Sequence, residues 1–417
     1  MNGCRVAIVA DDLTGALDTA APFAARGAKT RVVVALERLA SCLEAWAENA
    51  PQVVAVNTES RHLPSHEAAE RVVEATRLLE RLSPDVWFKK IDSTLRGQVV
   101  AESLAMLSVT GRQLLVAPAV PAQQRVVRDA EVWVDGRPLE TTPYGADARS
   151  CSLAGPLDTA FRSAGVALAR RRAGPGLALP EGHCVVDAST QQDLATLYDG
   201  VARRPERWLL VGAAGLACEV ARRSFGLMHG SIHWLSNISH GLYAVGSRSP
   251  RALEQCRRLR EGVPGLDWEA ALTSRLPRAS AQRLLVPGDE GGAALDPAQV
   301  ALAMGERIAA IVAEWPRSST QLLFLTGGDT AMAALSRLGA RFIEVVAEWC
   351  PGVALGYLDG EPQRRVMTKA GGFGDPELLL RLHAEVANSV GLRRASPGCR
   401  RSWRGPAWGP WAQGRYP

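Results

Sequence analysis

The stretch VAIVADDLTGALDTA, Val6 to Ala20, decides the fold. Its first five residues form a short, continuous, β-branched apolar run, the pattern of a strand buried on both faces of a parallel sheet. The run ends in two adjacent aspartates rather than in a glycine-rich turn, and Leu-Thr-Gly leads on into a helix. Asp11 and Asp12 therefore fall at the carboxyl end of a buried strand, where open α/β sheets hold their ligands. Thr14 is placed to cap the helix. One of the aspartates is also explained as a cap. Two caps at one helix end are redundant, so the other aspartate is expected to face a ligand.

The same rhythm continues along the chain. Strand-like runs at KTRVVVA (29–35), QVVAVNTES (52–60), VWFKKIDSTLRG (86–97) and QLLVAPAV (113–120) alternate with helical patterns near 36–48, 64–82 and from 98 onward. EVWVDGRPLE interrupts with an Asp-Gly pair, a hairpin signal, before HCVVDAS and WLLVGAAGLA resume the alternation. This is the βαβ order of a mainly parallel sheet. The segment FGLMHGSIHWLSNISHG (225–241) has no period and reads as a linker. His229 and His233 within it stand four apart but lack a carboxylate partner, which makes them surface residues. Beyond it, LYAVGSRSP, QRLLVPG, QLLFLTGGDTA and RVMTKAGGFGDP are strands that end in small or polar loops, and PAQVALAMGERIAAIVAEW is an amphipathic helix. The expected architecture is α/β: two α/β domains with mainly parallel sheets, residues 1–238 and 239–390, with the active site in the cleft between them.

Composition narrows the class further. The 417 residues are 47% hydrophobic and 22% charged, as in a soluble globular protein. No apolar run is long enough to span a bilayer and no signal-peptide pattern opens the chain, so the expected location is cytoplasmic. The eight cysteines (4, 42, 151, 184, 218, 256, 350, 399) include no C-x-x-C pair, which speaks against a disulfide framework or a zinc site. The net charge of +5 arises in the final segment 391–417, which holds six arginines and no acid, so the rest of the chain carries −1. That segment, rich in Gly, Pro, Arg and Trp, is expected to be disordered. The nearly neutral body argues against a nucleic-acid partner. Only four of the 48 basic residues are lysines (29, 89, 90, 369), and three of these lie in the densest motifs.

Those motifs carry the chemistry. In the first domain, KKIDSTLRG (Lys89 to Gly97) supplies Lys90, Asp92, Ser93, Thr94 and Arg96 just after a strand. A cation, a carboxylate, hydroxyls and a guanidinium suit a small polyhydroxy acid, because Arg meets a carboxylate in a two-point fork and Asp accepts from sugar hydroxyls. Salt bridges within the loop are the plain alternative. The second domain offers GSRSP (246–250), TGGDTA (326–331) and KAGGFGD (369–375), three glycine-rich turns after strands. Such turns let backbone N–H groups approach phosphate oxygens. Neither a P-loop nor a dinucleotide fingerprint is present.

Taken together, ADDLTGALDTA, KKIDSTLRG, APAVPAQ, VGAAGLA, GSRSP, LTGGDTA and KAGGFGDP, in this order over residues 5–388, resemble the four-carbon acid sugar kinases. The resemblance implies an N-terminal domain for a four-carbon sugar acid, a C-terminal domain for ATP, and 4-phosphates of threonate, erythronate or 3-oxo-tetronate as products. It implies that Asp11, Asp12, Lys90, Asp92, Ser93 and Arg96 bind the acid. It also implies that Ser247, Ser249, Gly327, Gly328, Asp329, Thr330, Gly371 and Gly372 bind the nucleotide, and Lys369 and Gly374 of the same glycine-rich turn are expected to join them. Mg²⁺ is expected to bridge the phosphates, its protein ligands left open, with Asp12 as first and Asp92 as second choice for the catalytic base. A homodimer is compatible with this reading. One segment departs from the family: Gln123-Gln124 replace its usual Asn-Gly, and Ala130-Glu131 its Gly-His, which leaves the choice of acid open. Two alternatives stand beside the kinase. One is a phosphohydrolase with Asp11 as nucleophile, although Leu13 and the adjacent second aspartate misplace its acid pair. The other is a sugar-acid sensor that kept the fold without turnover.

Overall fold

The computed structural model describes residues 3–145, 152–228, 234–272, 280–288 and 296–391. His229, His233 and the segment from 392 onward lie outside the described residues. Within them, the strands β1 (Val6–Ala10), β2 (Thr30–Val33), β3 (Val53–Asn57), β4 (Val86–Lys90) and β5 (Gln113–Ala117) follow the expected alternation. A small antiparallel sheet comes next, of β6 (Arg125–Arg128), β7 (Glu131–Val134) and β8 (Arg137–Pro138). Asp135 and Gly136 turn β7 into β8 with φ of 51° and 76°, the left-handed pair of the anticipated Asp-Gly hairpin. The strands β9 (Ala169–Arg172), β10 (Cys184–Asp187) and β11 (Trp208–Gly212) complete the N-terminal half. The C-terminal half holds β12 (His240–Val245), β13 (Asp267–Ala270), β14 (Gln282–Val286), β15 (Gln321–Thr326), β16 (Phe342–Cys350), β17 (Val353–Leu358) and β18 (Arg364–Lys369).

Both halves belong to one sheet of 15 strands, in the order β13-β14-β12-β15-β18-β17-β16-β2-β3-β1-β4-β11-β5-β10-β9. The N-terminal strands pair parallel, and so do β13, β14, β12, β15 and β18, the mainly parallel pattern expected from sequence, whereas β17 runs antiparallel to β18. The seam is antiparallel: β16 turns back on β17 and pairs with β2, Phe342 opposite Val33 and Val345 opposite Thr30. The β16–β17 hairpin was not visible in the glycine-rich motifs, because it carries no chemistry of its own and its turn is not an Asn-Gly or Asp-Gly signal.

The helix that follows β1, Leu13–Ala24, is buried along its whole length except at Asp18. A helix apolar on all sides belongs in a core. This one packs on β1, β2 and β3, on β16, β17 and β18, and on the helix Gly328–Arg337. The stretch that fixes the first strand therefore also supplies the helix shared by both halves. Its N-cap is Asp12 rather than Thr14: the Asp12 side chain accepts from the Gly15 N–H at 3.0 Å and from the Thr14 hydroxyl at 2.6 Å.

The segment that departs from the family keeps a strained backbone. Gln124 and Ala130, which stand where the family carries glycine, have φ of 53° and 65°. The Asp187 carboxylate steadies the second turn by accepting from the N–H groups of Asp129 and Ala130 at 2.8 and 2.9 Å. Gln124→Val places a β-branched residue in the left-handed conformation and is expected to lower stability by about 1–3 kcal/mol in a denaturant titration. Gln124→Gly is expected to cause no loss; equal losses in both variants would show that the side chain, not the backbone, matters there.

Candidate active site

Strand β1 lies between β3 and β4, with β2 and β3 on one side and β4 on the other. That reversal opens a crevice at the carboxyl ends of β1 and β4, the usual ligand position in a sheet of this kind. Asp11 and Asp12 leave β1 there, Thr58 to Arg61 leave β3, and Ile91 to Gly97 leave β4. The N–H groups of Ser60 and Arg61 both donate to the Asp11 carbonyl, at 3.1 and 3.3 Å, which seats the β3 loop against the aspartates.

Arg61, which the sequence reading passed over, organises this side. Its Nε donates to Asp11 Oδ2 at 2.7 Å, and its Nη2 to Asp11 Oδ1 at 3.1 Å and to Asp12 Oδ1 at 2.8 Å. Burial opposes ionisation of Asp11, but the Arg61 guanidinium, with Lys89 and Lys90, outweighs it and holds the carboxyl below its ordinary value. The only sequence signal for Arg61 was its place after a strand adjacent to β1. An Asp11 nucleophile is ruled out by the same contacts: its carboxylate is 2% exposed and both oxygens are bound by Arg61.

The two adjacent lysines divide. The Lys89 ammonium is buried, pairs with Glu102 at 2.8 Å and braces the sheet from behind. Lys90 turns to the crevice, donates to the Ile91 carbonyl at 2.8 Å, and has no carboxylate within ion-pairing distance among the described residues. A Cβ placed on Gly15 would lie 3.1 Å from its Nζ, so glycine there lets the helix start close over the ammonium. Asp92 accepts from Arg96 Nε at 2.8 Å, from Arg96 Nη2 at 3.3 Å and from the Thr94 hydroxyl. The fork that the sequence reading assigned to a substrate carboxylate is thus turned to Asp92. Burial works against the Asp92 charge, but Arg96, Arg61 and Lys90 hold its carboxyl well below the ordinary carboxylate range. Ser93 accepts a hydrogen bond from Arg125 Nη1.

A second crevice opens where β12 stands between β14 and β15. Three loops meet there. Ser249 caps the helix Pro250–Gly262 and donates to the Gly371 carbonyl at 2.8 Å. A Cβ on Gly371 would collide with the Ser247 hydroxyl, and one on Gly246 with Thr330, so the close packing of the three loops needs glycine at both positions. Gly327, with φ of 102°, makes the turn from β15 into the helix Gly328–Arg337, on which Asp329 and Thr330 lie in the first turn. The Thr326 hydroxyl is buried without a hydrogen-bond partner among the described residues. Gly372 has open space on its Cβ side, and Gly374, at φ of 80°, closes the loop against Gln255 and Leu378. Lys369 is spent inside the loop: its ammonium donates to the carbonyls of Ala370, Gly371 and Phe373 at 3.0, 3.2 and 3.0 Å. Burial lowers its pKa to about 8. Lys369 shapes the cradle.

The two crevices meet at one point. A Cβ on Gly328 would lie 3.4 Å from Asp12 Oδ2 and 3.6 Å from the Thr14 hydroxyl. The open N-terminus of the helix Gly328–Arg337 therefore abuts the paired aspartates. Exposed backbone N–H groups at a helix start favour a phosphate. A phosphate there would sit within reach of anything held by Asp12. Among the described residues, no cluster of three or more His, Cys, Asp or Glu forms a ready metal cage. Mg²⁺ fits such a site all the same, because it takes one or two carboxylates and draws its other ligands from phosphates and water.

Two carboxyls beside the junction are poised differently. The Asp18 carboxyl has no hydrogen-bond partner among the described residues, and burial pushes it up to about 6 against the pull of Lys90. Glu348, on β16, accepts from the Gly352 N–H at 3.1 Å and is pushed by burial, with a contribution from Asp18, up to about 7. Both bind a proton more tightly in the folded chain than in the unfolded one. Their ionisation therefore costs stability, and the fold weakens as pH rises from the ordinary carboxylate range through 6 and 7. Asp18→Asn is expected to raise Tm at pH 8 and to change it little at pH 5. A lower Tm at pH 8 would mean that the Asp18 carboxylate is stabilised by a contact the structure does not contain.

Comparison with known proteins covers both halves of the chain. The model of a sugar-binding N-terminal domain matches residues 6–220, and that of a nucleotide-binding C-terminal domain matches residues 242–379. The D-threonate kinase of Cupriavidus necator is 34% identical, over 89% of this chain and 95% of that protein. The D-threonate kinase of Bordetella bronchiseptica is 33% identical, over 91% and 97%. The D-erythronate kinase of Heliobacterium modesticaldum is 29% identical, over 89% and 95%. In fold, Haemophilus influenzae protein HI1011 superposes with a TM-score of 0.66 at 18% identity, covering 91% of this chain and all of that one. The chain belongs to the four-carbon acid sugar kinases, phosphotransferases with an alcohol group as acceptor.

Proposed function

We propose that this chain transfers the γ-phosphoryl group of ATP to the terminal hydroxyl of a four-carbon sugar acid, D-threonate being the first acid to test. The observation that carries the reading is the approach of Gly328 to Asp12, which joins an acid-binding crevice to a phosphate-binding helix start. The names of the most similar relatives favour threonate over erythronate or 3-oxo-tetronate.

Each group then has a task. Lys90 neutralises the acid, and Ser93 and Asp92 hold its hydroxyls, with Arg96 fixing the Asp92 carboxylate. Asp12 accepts the proton of the attacking hydroxyl; it is preferred to Asp92 because it stands at the junction with the helix start at Gly328. Asp11 holds Arg61, and Arg61 in turn fixes Asp12. Ser247, Ser249, Gly327, Gly328, Thr330, Gly371 and Gly372 line the phosphates, with Lys369 and Gly374 maintaining the loop. Asp12 and Asp329 are the carboxylates suited to Mg²⁺, which when bound would neutralise the phosphates. Such a site works by alignment and charge compensation, and closing it over both substrates keeps water from the phosphoryl group. The division at residues 238/239 assigns the acid to the first part and the nucleotide to the second. A cytoplasmic enzyme, alone or as a homodimer, suits this chemistry, with no nucleic acid or membrane as partner.

Purified protein is expected to release ADP from ATP only when Mg²⁺ and a four-carbon sugar acid are both present. ADP release that is the same without acid, or phosphate release from a phosphomonoester without ATP, would count against the kinase. Gly328→Asp sets a carboxylate against the phosphate and is expected to abolish ATP binding in calorimetry while leaving binding of the acid intact. Normal ATP binding by that variant would misplace the cradle.

A further inference from the structure

We infer that Arg125 receives the carboxylate of the acid, and that Phe373 ties this contact to the nucleotide loop; the inference rests on the kinase reading above. Arg125 opens β6 and is 9% exposed. Its guanidinium donates to Ser93 Oγ through Nη1, and the other guanidinium nitrogens find no acceptor among the described residues. No carboxylate lies within ion-pairing distance of it among the described residues; Asp18 feels its charge only from farther off. Its guanidinium carbon lies 5.3 Å from the ring centre of Tyr144 and 5.6 Å from that of Phe373. Aromatic faces compensate a cation only in part, and a buried guanidinium without an anion is costly. A planar fork with free donors beside the hydroxyl of Ser93 fits a carboxylate in two-point contact.

The neighbourhood supports that assignment. Arg96, the other guanidinium of the acid-binding motif, turns two nitrogens to Asp92. Lys90 offers a point charge but no fork. Arg125 lies in the segment that departs from the family, directly after the strained Gln124. A change in that turn re-aims the guanidinium, which gives the departure a route to the choice of acid. Phe373 stands in the glycine-rich loop of the nucleotide crevice and packs on Gly352, where a Cβ would come within 2.5 Å of its ring. Phosphate held by Gly371 and Gly372 fixes this loop, and with it the ring that backs Arg125. Binding of nucleotide should thereby strengthen binding of the acid.

The test uses calorimetry with D-threonate, with and without a non-hydrolysable ATP analogue, together with Tm and steady-state kinetics. Arg125→Gln is expected to weaken D-threonate binding at least tenfold, to leave KM for ATP within about threefold, and to leave Tm unchanged or higher. The last readout separates the roles, because a structural arginine would lower Tm on removal. Phe373→Leu is expected to erase the tightening of D-threonate binding that the analogue produces in the wild type. Arg125→Gln binding the acid as the wild type does would overturn the inference and leave the kinase reading standing. A wild-type protein that binds no four-carbon sugar acid would overturn both.

Discussion

Two carboxylates on successive residues, at the end of a buried strand, repel each other unless a cation lies between them. Arg61 is that cation. It spans Asp11 and Asp12, and its own loop is seated by N–H groups donating to the Asp11 carbonyl. The pairing fixes Asp12 in the rotamer that caps the helix Leu13–Ala24. That helix packs on strands of both sheet halves and on the helix Gly328–Arg337. One ion pair thus sets the position of a candidate base and the seating of the helix that aligns the two crevices.

Around this paired centre the structure leaves some charges without a direct ion pair. Among the described residues, Lys90 and Arg125 have no carboxylate within ion-pairing distance, and the Asp18 carboxyl has no hydrogen bond. By contrast Lys89 is matched by Glu102, and Asp92 by Arg96. Selection for stability alone favours pairing or removing a buried charge. Charges left open, gathered on one side of a crevice, are what a ligand of complementary charge would require. Two cations and a carboxyl suit an anion that also carries hydroxyls.

Much of this was legible in the sequence. Buried parallel strands declare themselves as continuous β-branched runs, and the chemistry sits in short motifs at their ends, so the two crevices could be read from DDLTG, KKIDSTLRG, GSRSP and TGGDT. The Asp-Gly hairpin was visible because its turn chemistry is local. Less local facts were not. Arg61 looks like any loop arginine until β3 is known to lie beside β1. The antiparallel seam of β16 and β2 is a long-range pairing between strands about 310 residues apart, without a sequence signal of its own. The partner of Arg96 was open between substrate and Asp92, since spacing permits both. Lys369 looked like a phosphate ligand because it lies in a glycine-rich loop; only the geometry of three carbonyls around its ammonium shows it holding that loop in shape.

The account stands on phosphoryl transfer at the contact between Asp12 and the helix start at Gly328. Asp12→Asn tests it most directly, because asparagine retains the shape and the capping ability of aspartate and removes only the charge that accepts a proton. Single-turnover transfer from ATP to D-threonate should fall about a hundredfold or more, the ordinary contribution of a general base. Calorimetric affinities for the acid and for a non-hydrolysable ATP analogue should stay within about tenfold of the wild type. Transfer at the wild-type rate, in a variant that binds both substrates, would contradict the account and move the chemistry away from this junction.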